Sequence, residues 1–409
     1  MRVLVLTQVL VYPADAGPKI KTLQVLRHLA TRHEVVYCTF VRSDKEVQEA
    51  EKLRETCNRV VTVPMERSRS RDARFLLESL ATGESFLMRR DESARMRSMV
   101  RQLLLDERID VLHVDQLNMM RFVPSDWQGT VILDEHNAVW QVVERLRKGA
   151  RNPFSRWFLG REVRLIRKVE ATACQRARFV LAVSEHDRQA LRAVAGGSVS
   201  IELVPITVDV DGLETIRSAR APQPHRLFTI GTMFWPPNSE GVAWWLREGY
   251  EHLISLCPEV TYDIVGARPP RELQVLAEHF AGVHLHNYVE DVSSFWIHTA
   301  ALAVPILSGG GVRVKILEAM ALGVPVISTT IGAEGLDVRH REHLLIADTP
   351  EEFARACNEV LQDEQLAQRL AHNGRQLILK RYDAKIALRS LDAAYEQASG
   401  NVPGFSIPG

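Results

Sequence analysis

The chain has 409 residues, of which 46% are hydrophobic and 25% are charged, a composition normal for a globular protein. A chain of this length is longer than one that folds around a single hydrophobic core, and it suits two domains of about 200 residues each. The formal net charge is zero, but residues 1–205 carry 34 basic and 26 acidic side chains, which gives +8 there and −8 in the remainder. The zero total argues against nucleic-acid binding, while the basic half can face an anionic partner or a membrane surface.

The cysteines are widely spaced and form no Cys-x-x-Cys pair, which argues against a disulfide framework or a structural zinc and favours a reducing compartment. They are Cys38, Cys57, Cys174, Cys257 and Cys357. The first apolar stretch is short and is interrupted by Gln8, so we interpret it as a β-strand and not as a signal peptide. No run approaches 18 apolar residues, so we expect a cytoplasmic protein without a membrane span, with peripheral contact to the inner face of the membrane as an option.

Short β-branched runs recur along the first half of the chain, separated by stretches with helical periodicity such as "IKTLQVLRHLA" (20–30). The runs are continuous and not alternating, which is typical of parallel strands covered on both faces by crossover helices. The predicted strands are 3–7, 34–40, 59–63, 110–114, 130–133, 179–183 and 201–205.

The strand–helix rhythm lapses over residues 206–225, which contain Pro222 and Pro224, and we interpret this segment as a linker. The rhythm then restarts, with predicted strands at 226–231, 261–266, 282–286, 300–305, 325–329 and 343–347. We therefore expect an α/β protein with two Rossmann-like doubly wound domains, 1–205 and 226–384, that face each other across a cleft. In residues 385–409, a helix (385–399) should pack back toward the first domain, and the tail "GNVPGFSIPG" should be disordered.

The most informative stretch is "SGGGVRVKILEAMALGVPVIST" (308–329), where three glycines follow a predicted buried strand. Ligands bind outside the carboxyl ends of parallel strands, and the missing Cβ atoms of Gly309, Gly310 and Gly311 let backbone amides approach an anion closely. A helix predicted to begin near Val312 adds the positive end of its dipole. The pattern favours a phosphate-binding turn.

Three charged residues follow the glycines. Arg313 and Lys315 fall in the predicted first helical turn, where cations oppose the helix dipole unless an anion is bound. Glu318 lies on the same helix face as Lys315 and suits bidentate acceptance from vicinal ribose hydroxyls. The alternative is a plain βα turn with a solvated Lys–Glu pair.

The segment "KILEAMALGVPVIST" (315–329) resembles the signature of retaining glycosyltransferases of family 4, which have the GT-B fold. The resemblance implies that Glu318 contacts the nucleotide ribose and that Lys315 meets the pyrophosphate, as in a sub-branch associated with bacterial surface polysaccharide assembly. Gly310 stands where the family has a Glu that contacts the donor sugar.

Two further positions follow from this resemblance. His136, in "ILDEHN" (132–137), matches a family histidine that contacts the donor sugar, and it is our first catalytic candidate together with Glu318. The alternative is a histidine that satisfies a neighbouring loop. Gly17, in the loop between the first strand and helix, matches a family glycine that covers the donor phosphates, with Asp15 and Lys19 as weaker candidates. That loop is not Gly-x-Gly-x-x-Gly, which argues against a dinucleotide dehydrogenase.

The stretch "FTIGTMFWPPNSEG" (228–241) aligns with a family pattern in which two cations bind the diphosphate. Gly231 is kept, but Thr232 and Glu240 replace the cations, and we expect Arg313 and Lys315 to substitute for them. Trp235 either stacks on a ligand or packs internally.

The Asp-Val-Asp of 209–211 can be compared with a metal-binding D-x-D pair, but it resembles the family's domain junction more closely. We therefore expect neither a metal nor a cofactor, apart from the nucleotide-diphosphate sugar as donor substrate.

Residues 139–178 contain 11 Lys and Arg and three Glu, interleaved with aromatic residues. Such a segment suits peripheral contact with anionic lipid or the grip of a lipid-linked acceptor, and the alternative is a solvated helix face. In the family, the region that corresponds to 65–104 helps to form the acceptor side.

The resemblance implies a retaining, metal-independent glycosyltransferase that moves a sugar from a nucleotide-diphosphate sugar to a glycan, lipid-linked or small-molecule acceptor. The first domain would bind the acceptor and the second the donor. Two alternatives are a non-catalytic partner subunit, which the substitutions at Gly310, Thr232 and Glu240 favour, and another GT-B nucleotide-sugar enzyme such as an epimerase or a hydrolase.

Overall fold

The computed structural model describes residues 1–14, 17–150, 152–197 and 199–400. It divides into two compact units, one formed by Met1–Pro205 with the chain from Leu388 onward, the other by Ile206–Ala387. Each unit is an α/β structure around its own parallel sheet and its own hydrophobic core.

The sheet of the first unit has the strand order β3-β2-β1-β4-β5-β6-β7, with parallel pairing throughout the described residues. Its central strands are buried on both faces, which explains their continuous apolar sequence. The strands are β1 Arg2–Thr7, β2 Glu34–Val41, β3 Arg59–Pro64, β4 Val111–Asp115, β5 Thr130–Glu135, β6 Phe179–Ala182 and β7 Ile201–Leu203.

Helices connect these strands and cover the faces of the sheet. They are α1 Gly17–Ala30, α2 Asp44–Glu51, α3 Arg69–Thr82, α4 Phe86–Arg89, α5 Ala94–Asp106, α6 Val139–Gly149, α7 Pro153–Arg176 and α8 Glu185–Ala195, with 3-10 turns at Lys52–Glu55 and Leu117–Phe122. Serine hydroxyls cap several of them, as where Ser184 accepts from the Asp187 amide at the start of α8.

The second unit repeats this plan, with the parallel strand order β10-β9-β8-β11-β12-β13. Its strands are β8 Arg226–Ile230, β9 Thr261–Val265, β10 Val283–His286, β11 Ala301–Val304, β12 Val326–Ser328 and β13 Leu345–Ile346. Its helices are α9 Val210–Ser218, α10 Pro236–Trp244, α11 Tyr250–Leu256, α12 Arg271–Glu278, α13 Ser293–His298, α14 Val314–Ala321, α15 Pro350–Gln362, α16 Glu364–Leu377 and α17 Ala384–Ala387, with π-helical turns at Trp245–Gly249 and Ile378–Tyr382.

The segment 206–225, predicted as a linker, differs from that prediction because it contains α9 and belongs to the second unit. Asp209 caps α9 by accepting from the Gly212 amide at 3.0 Å, and Asp211 forms an ion pair with Lys385. The two aspartates of the Asp-Val-Asp stretch therefore have structural partners within their own unit.

The predicted C-terminal helix is divided into α17 and α18, the latter spanning Arg389–Ser399 and belonging to the first unit. The Tyr395 hydroxyl of α18 lies 2.9 Å from Nδ1 of His113 in β4, and Asp392 lies 2.7 Å from Nε2 of His28 in α1. Tyr395 is buried, so it fixes α18 on this unit. Residues 401–409 of the predicted disordered tail lie outside the described residues.

Within the described ranges, no helix combines the length and the apolar character needed to cross a lipid bilayer.

Candidate active site

The candidate donor site of the second unit lies where the connections from β8 and β11 begin. These two strands are hydrogen-bonded neighbours, and the chain proceeds from β8 toward β9 on one side and from β11 toward β12 on the other. This is the topological switch point of the sheet, where parallel α/β sheets bind ligands. Gly231 directly follows β8, and the three-glycine loop lies between β11 and α14.

Two residues of the glycine loop have backbone conformations that glycine adopts most readily. Gly309 and Gly311 adopt φ of 90° and 86°, values that other residues rarely tolerate. A Cβ on Gly309 would lie 3.3 Å from Cγ of Pro237, so the loop also packs closely on the start of α10. Within the described part of the chain, the amides of Gly309, Gly310 and Gly311 donate no hydrogen bond. They remain available to an anion.

Arg313 does not lie in the first turn of α14, where the sequence predicted it. It is the N-cap residue of α14, one position before the first helical turn, and its Nη1 donates to the carbonyls of Gly310 and Gly311, both at 2.6 Å. Its Nη2 lies 3.4 Å from the carbonyl oxygen of Ser308. The guanidinium thus folds back on the glycine loop and neutralises carbonyl dipoles that would otherwise face an anion.

Lys315 in the first turn of α14 carries its ammonium group to the end of β8. Its Nζ lies 3.2 Å from Oδ1 of Asn238 and only 2.6 Å from where a Cβ on Gly231 would stand. Gly231 is therefore required for this approach. Burial, together with the nearby charge of Arg313, lowers the pKa of Lys315 to about 7, although Glu318 acts in the opposite direction. A bound phosphate would restore its full charge.

Glu318 lies one turn further along α14, and its side chain is half-buried. Burial raises the pKa of this carboxyl to about 7, and the positive charge of Lys315 offsets only part of the effect. Its carboxylate makes no hydrogen bond or ion pair to another described residue, so its acceptor atoms are available to a ligand hydroxyl.

The two positions where the resembled family carries cations are filled differently. Thr232 offers its backbone carbonyl to Nδ2 of Asn238 at 3.0 Å, and Glu240 is exposed on α10. Gly241 is a packing residue, since a Cβ there would lie 1.9 Å from the carbonyl oxygen of Pro305. The ammonium group of Lys315 thus lies at the end of β8, whereas the guanidinium of Arg313 is bound to the carbonyls of the glycine loop.

Exposed aromatic side chains follow β8 and β10, two strands of the same sheet. Trp235 and Tyr288 have 57% and 72% of their surface exposed, so neither is an internal packing residue. The Arg268 guanidinium lies 3.9 Å from the ring centroid of Phe234, an arrangement that leaves a flat cationic–aromatic surface.

In the first unit, His136 follows β5 directly and is buried. Its Nε2 lies 2.9 Å from Oδ1 of Asp115, and its Nδ1 lies 3.3 Å from Nε2 of Gln116. Asp115 ends β4 and also accepts from the Thr22 hydroxyl at 2.9 Å. Gln116 has φ of 71°, a rare value for a residue with a side chain, which indicates local strain at this strand end. No pattern in the sequence identifies Asp115 as the partner of His136.

A buried ion pair lies next to this histidine. Lys21 of α1 and Asp134 of β5, both fully enclosed, form a charged hydrogen bond. Burial by itself would raise the pKa of Asp134, but the charge of Lys21 and the neighbouring His113 and His136 outweigh it, so the pKa lies well below its usual range. Sequence reasoning missed this pair, because one buried lysine in an amphipathic helix carries no pattern.

Asp115, Asp134 and His136 have one ligand atom each within 4.8 Å of the others, which makes them the potential metal-binding group of the described residues. Several of these atoms have partners, since Oδ1 of Asp134 pairs with Lys21 and Oδ1 of Asp115 accepts from Thr22 and meets His136, while Oδ2 of Asp134 is buried without a hydrogen-bond partner among the described residues. These contacts explain the cluster as a buried hydrogen-bond network around the Lys21–Asp134 ion pair.

Gly17 is the first residue of α1, one turn before the buried residues Lys21 and Thr22 of the same helix. Lys19 donates to the carbonyl of Pro13 at 3.3 Å. Asp15 lies outside the described residues. Thus Gly231, the glycine loop, Lys315 and Glu318 come together in the second unit, whereas Gly17 and His136 belong to the first.

Two buried glutamates support the segment that carries His136. Glu135 is fully enclosed at the end of β5, and Glu170 of α7 accepts from the amide of Val139 at 2.7 Å. Burial raises the pKa of Glu135 well above its ordinary value, and repulsion by Glu170 and Asp134 raises it further. The pKa of Glu170 is also raised, chiefly by burial. The pair therefore favours binding protons in the folded state.

We expect Glu135→Gln to increase stability at pH 8 and to change it little at pH 5. An unfolded glutamate ionises near its ordinary pKa, whereas the folded Glu135 keeps its proton, so stability falls as the pH rises above that value, by up to about 1.4 kcal/mol per unit. Thermal denaturation of both proteins across this range measures the effect. The matched control is Glu162→Gln, because the buried carboxylate of Glu162 accepts hydrogen bonds from the Ser85 hydroxyl and the Leu87 amide. This variant should be less stable than the unaltered protein at both pH values. Equal pH dependence of Glu135→Gln and the unaltered protein would refute the argument.

Comparison with known proteins identifies the class to which this fold and site correspond. Residues 224–363, which run from β8 to the end of α15, match the family described as "Glycosyl transferases group 1". The matched region contains Gly231, the glycine loop, Lys315 and Glu318. The second unit therefore has the sequence features of a glycosyltransferase, in agreement with the class of enzyme predicted from the sequence.

A curated relative matches part of the chain. Over 169 residues the chain is 27% identical to an uncharacterized 44.6 kDa protein of the cps region of Klebsiella pneumoniae. The matched region covers 40% of this chain and 44% of that protein. The match thus spans less than half of that relative.

Solved structures match the whole chain. Sucrose-phosphate synthase from Thermosynechococcus elongatus has a TM-score of 0.70 and 14% identity, over 98% of this chain and 100% of that one. HepE from Anabaena, in complex with UDP and glucose, has a TM-score of 0.68 and 12% identity, over 97% and 100% of the two chains. These similarities and the two parallel sheets confirm the predicted GT-B fold class.

Proposed function

We propose that this chain is a glycosyltransferase that moves a sugar from a nucleotide-diphosphate sugar to an acceptor hydroxyl. The observation that carries the proposal is the convergence of the Lys315 ammonium, the unpaired amides of the glycine loop and the N-terminus of α14 at the switch point of the second sheet. The match of residues 224–363 to the glycosyl transferases group 1 supports it, as does the shared fold of HepE, which has been solved with UDP-glucose.

The reaction requires departure of a nucleoside diphosphate, on which negative charge grows as the glycosidic bond breaks. Lys315 and the loop amides would stabilise that charge without rearranging, which is electrostatic catalysis. Arg313 would hold the loop open to the anion, because it occupies the carbonyls of Gly310 and Gly311. Glu318 would accept from the ribose hydroxyls.

The stereochemistry and the acceptor are further parts of the proposal. The family resemblance implies retention, with front-face attack by the acceptor hydroxyl, no protein nucleophile and no metal ion. The leaving phosphate would take the acceptor proton. The first unit would bind a glycan or a lipid-linked acceptor, as in cell-surface polysaccharide synthesis, and His136, oriented by Asp115, would contact the donor sugar.

We expect His136→Ala and Glu318→Ala each to lower turnover at least about tenfold, equivalent to about 1.4 kcal/mol. The first change removes a contact to the donor sugar and the second a contact to the ribose, so Glu318→Ala should also weaken nucleotide binding. Steady-state kinetics of sugar transfer measures both. Glu251→Ala, an exposed glutamate on α11, is the control and should leave turnover unchanged. Unchanged turnover in either test variant would remove that residue from the site.

The function is tested by thermal-shift titration with UDP, GDP, ADP and their sugar conjugates, in the presence of EDTA. A ligand that binds only the folded protein raises the unfolding midpoint. A rise with one nucleotide and its sugar conjugate supports the proposal and assigns the donor base, and sugar transfer to an acceptor then separates a transferase from an epimerase or a hydrolase. No rise with any nucleotide would contradict the proposal and favour the non-catalytic partner subunit.

A further inference from the structure

The hairpin of α6 and α7 in the first unit presents an outward surface that the proposed activity does not use. The end of α6 lies beside the start of α7, where Cδ of Arg147 is 3.4 Å from the position of a Cβ on Gly160. The opposite end is fixed by Arg167, whose guanidinium lies 4.7 Å from the ring of Trp140. The first buried residues of α7 are Glu162 and Val163.

The start of α7, with Phe154 and Trp157, projects beyond the core of the unit, whereas Phe158 packs on Phe86 with ring centroids 6.2 Å apart and Leu159 packs against the core. The described residues from 152 to 161 include none that is buried. Phe154 and Trp157 expose 70% and 58% of their surface, with ring centroids 5.9 Å apart, and Leu146 at the end of α6 exposes 58%. Exposed large apolar side chains grouped in this way mark an interaction site.

Cations surround this apolar tip. Lys148, Arg156, Arg164 and Lys168 are exposed, and none forms an ion pair with another described residue. Trp157, Arg164 and Lys168 are spaced i, i+7 and i+11, which places them on one stripe of α7, opposite the buried face. Arg164 follows Trp157 by about 10 Å along the helix axis.

We propose that the tip of this hairpin docks on an anionic lipid bilayer, with Leu146, Phe154 and Trp157 in the interface and the four unpaired cations against lipid phosphates. The amphipathic division along one helix carries the inference, because apolar and aromatic side chains at the end of a basic stripe match the apolar-to-anionic gradient of a bilayer surface. The net +8 of residues 1–205 adds long-range attraction. The inference is independent of the glycosyltransferase activity.

The test is co-sedimentation of the full chain with vesicles of phosphatidylcholine alone or mixed with phosphatidylglycerol. We expect binding only to the anionic vesicles, and loss of at least about tenfold in binding for the double variant Phe154→Ser/Trp157→Ser. The matched control is Leu105→Ser on α5, where an apolar side chain that is 87% exposed lies on a different helix of the same unit. This control should bind as the unaltered protein does. Circular dichroism should show every variant folded, since the substituted side chains are exposed.

Two outcomes would overturn the inference. The first is the absence of sedimentation of the unaltered chain with anionic vesicles. The second is salt-sensitive binding that persists in Phe154→Ser/Trp157→Ser, since it would indicate a purely electrostatic surface for an acidic partner, not one that inserts in lipid. Because the assay requires neither donor nor acceptor, a failure here leaves the result of the nucleotide titration unaffected.

Discussion

Lys315→Met is expected to weaken nucleotide-diphosphate binding by about 2–5 kcal/mol, which is thirtyfold or more in the dissociation constant. Methionine keeps the apolar stem of the side chain, so the change removes the ammonium group beside Gly231 and Asn238 and leaves the packing of α14 in place. The loss should be large because this is the charge that reaches the end of β8, while Arg313 is bound to the loop carbonyls.

Calorimetric titration with the nucleotide that gives the largest thermal shift measures this effect. Lys380→Met is the control, because Lys380 is an exposed lysine of the same unit. The unfolding midpoint without nucleotide should change little in both variants. Equal affinity in Lys315→Met and Lys380→Met would show that the anion site lies elsewhere.

The affinity of the unaltered protein should also fall as the pH rises above about 7. The free Lys315 has a pKa of about 7, and a bound diphosphate raises that pKa, so binding takes up a proton and weakens as the pH increases. Lys315→Met should lose this part of the pH dependence. Because the charge of Lys315 also lowers the pKa of Glu318, the comparison is made between Glu318→Gln and Lys315→Met/Glu318→Gln, in which Glu318 no longer titrates.

Lys21→Met is expected to destabilise the protein by about 3–5 kcal/mol, because it leaves Asp134 charged and enclosed without its cation. Both partners are fully buried, so water cannot replace the lost interaction. In a unit of this size such a loss lowers the unfolding midpoint by roughly 10 °C or more. Circular dichroism during heating measures it.

Two further variants complete this test. Lys21→Met/Asp134→Asn removes both charges and should recover much of the loss, since a neutral amide costs less to bury than an unpaired carboxylate. Lys45→Met breaks an exposed pair with Glu49 on α2 and should cost less than about 0.5 kcal/mol. If Lys21→Met were as stable as Lys45→Met, the buried pair would not be a determinant of folding.

The amino-acid sequence by itself determined the positions of the strands along the chain and the fold class. Each of the thirteen predicted runs contains a strand in the described structure, because a strand buried on both faces must be apolar at every position and that requirement is visible locally. The glycine loop could also be recognised in the sequence, because the positive φ of Gly309 and Gly311 favours residues without a Cβ atom. Lys315 and Glu318 were predicted as donor-site residues because they stand within a few residues of that loop, and their roles stay predictions.

Tertiary structure decided which side chains meet. From the sequence, both Arg313 and Lys315 were expected to bind the diphosphate. In the structure Arg313 donates to the loop carbonyls, whereas Lys315 contacts Asn238, which is 77 residues away in the chain. The same holds for Asp115 beside His136 and for Lys21 beside Asp134, 113 residues apart. Pairing across parallel strands depends on their order in the sheet and on burial, and neither leaves a local pattern of residues. The local pattern therefore specified the scaffold and the glycine loop, while the partners of each charged group depended on how the strands assemble.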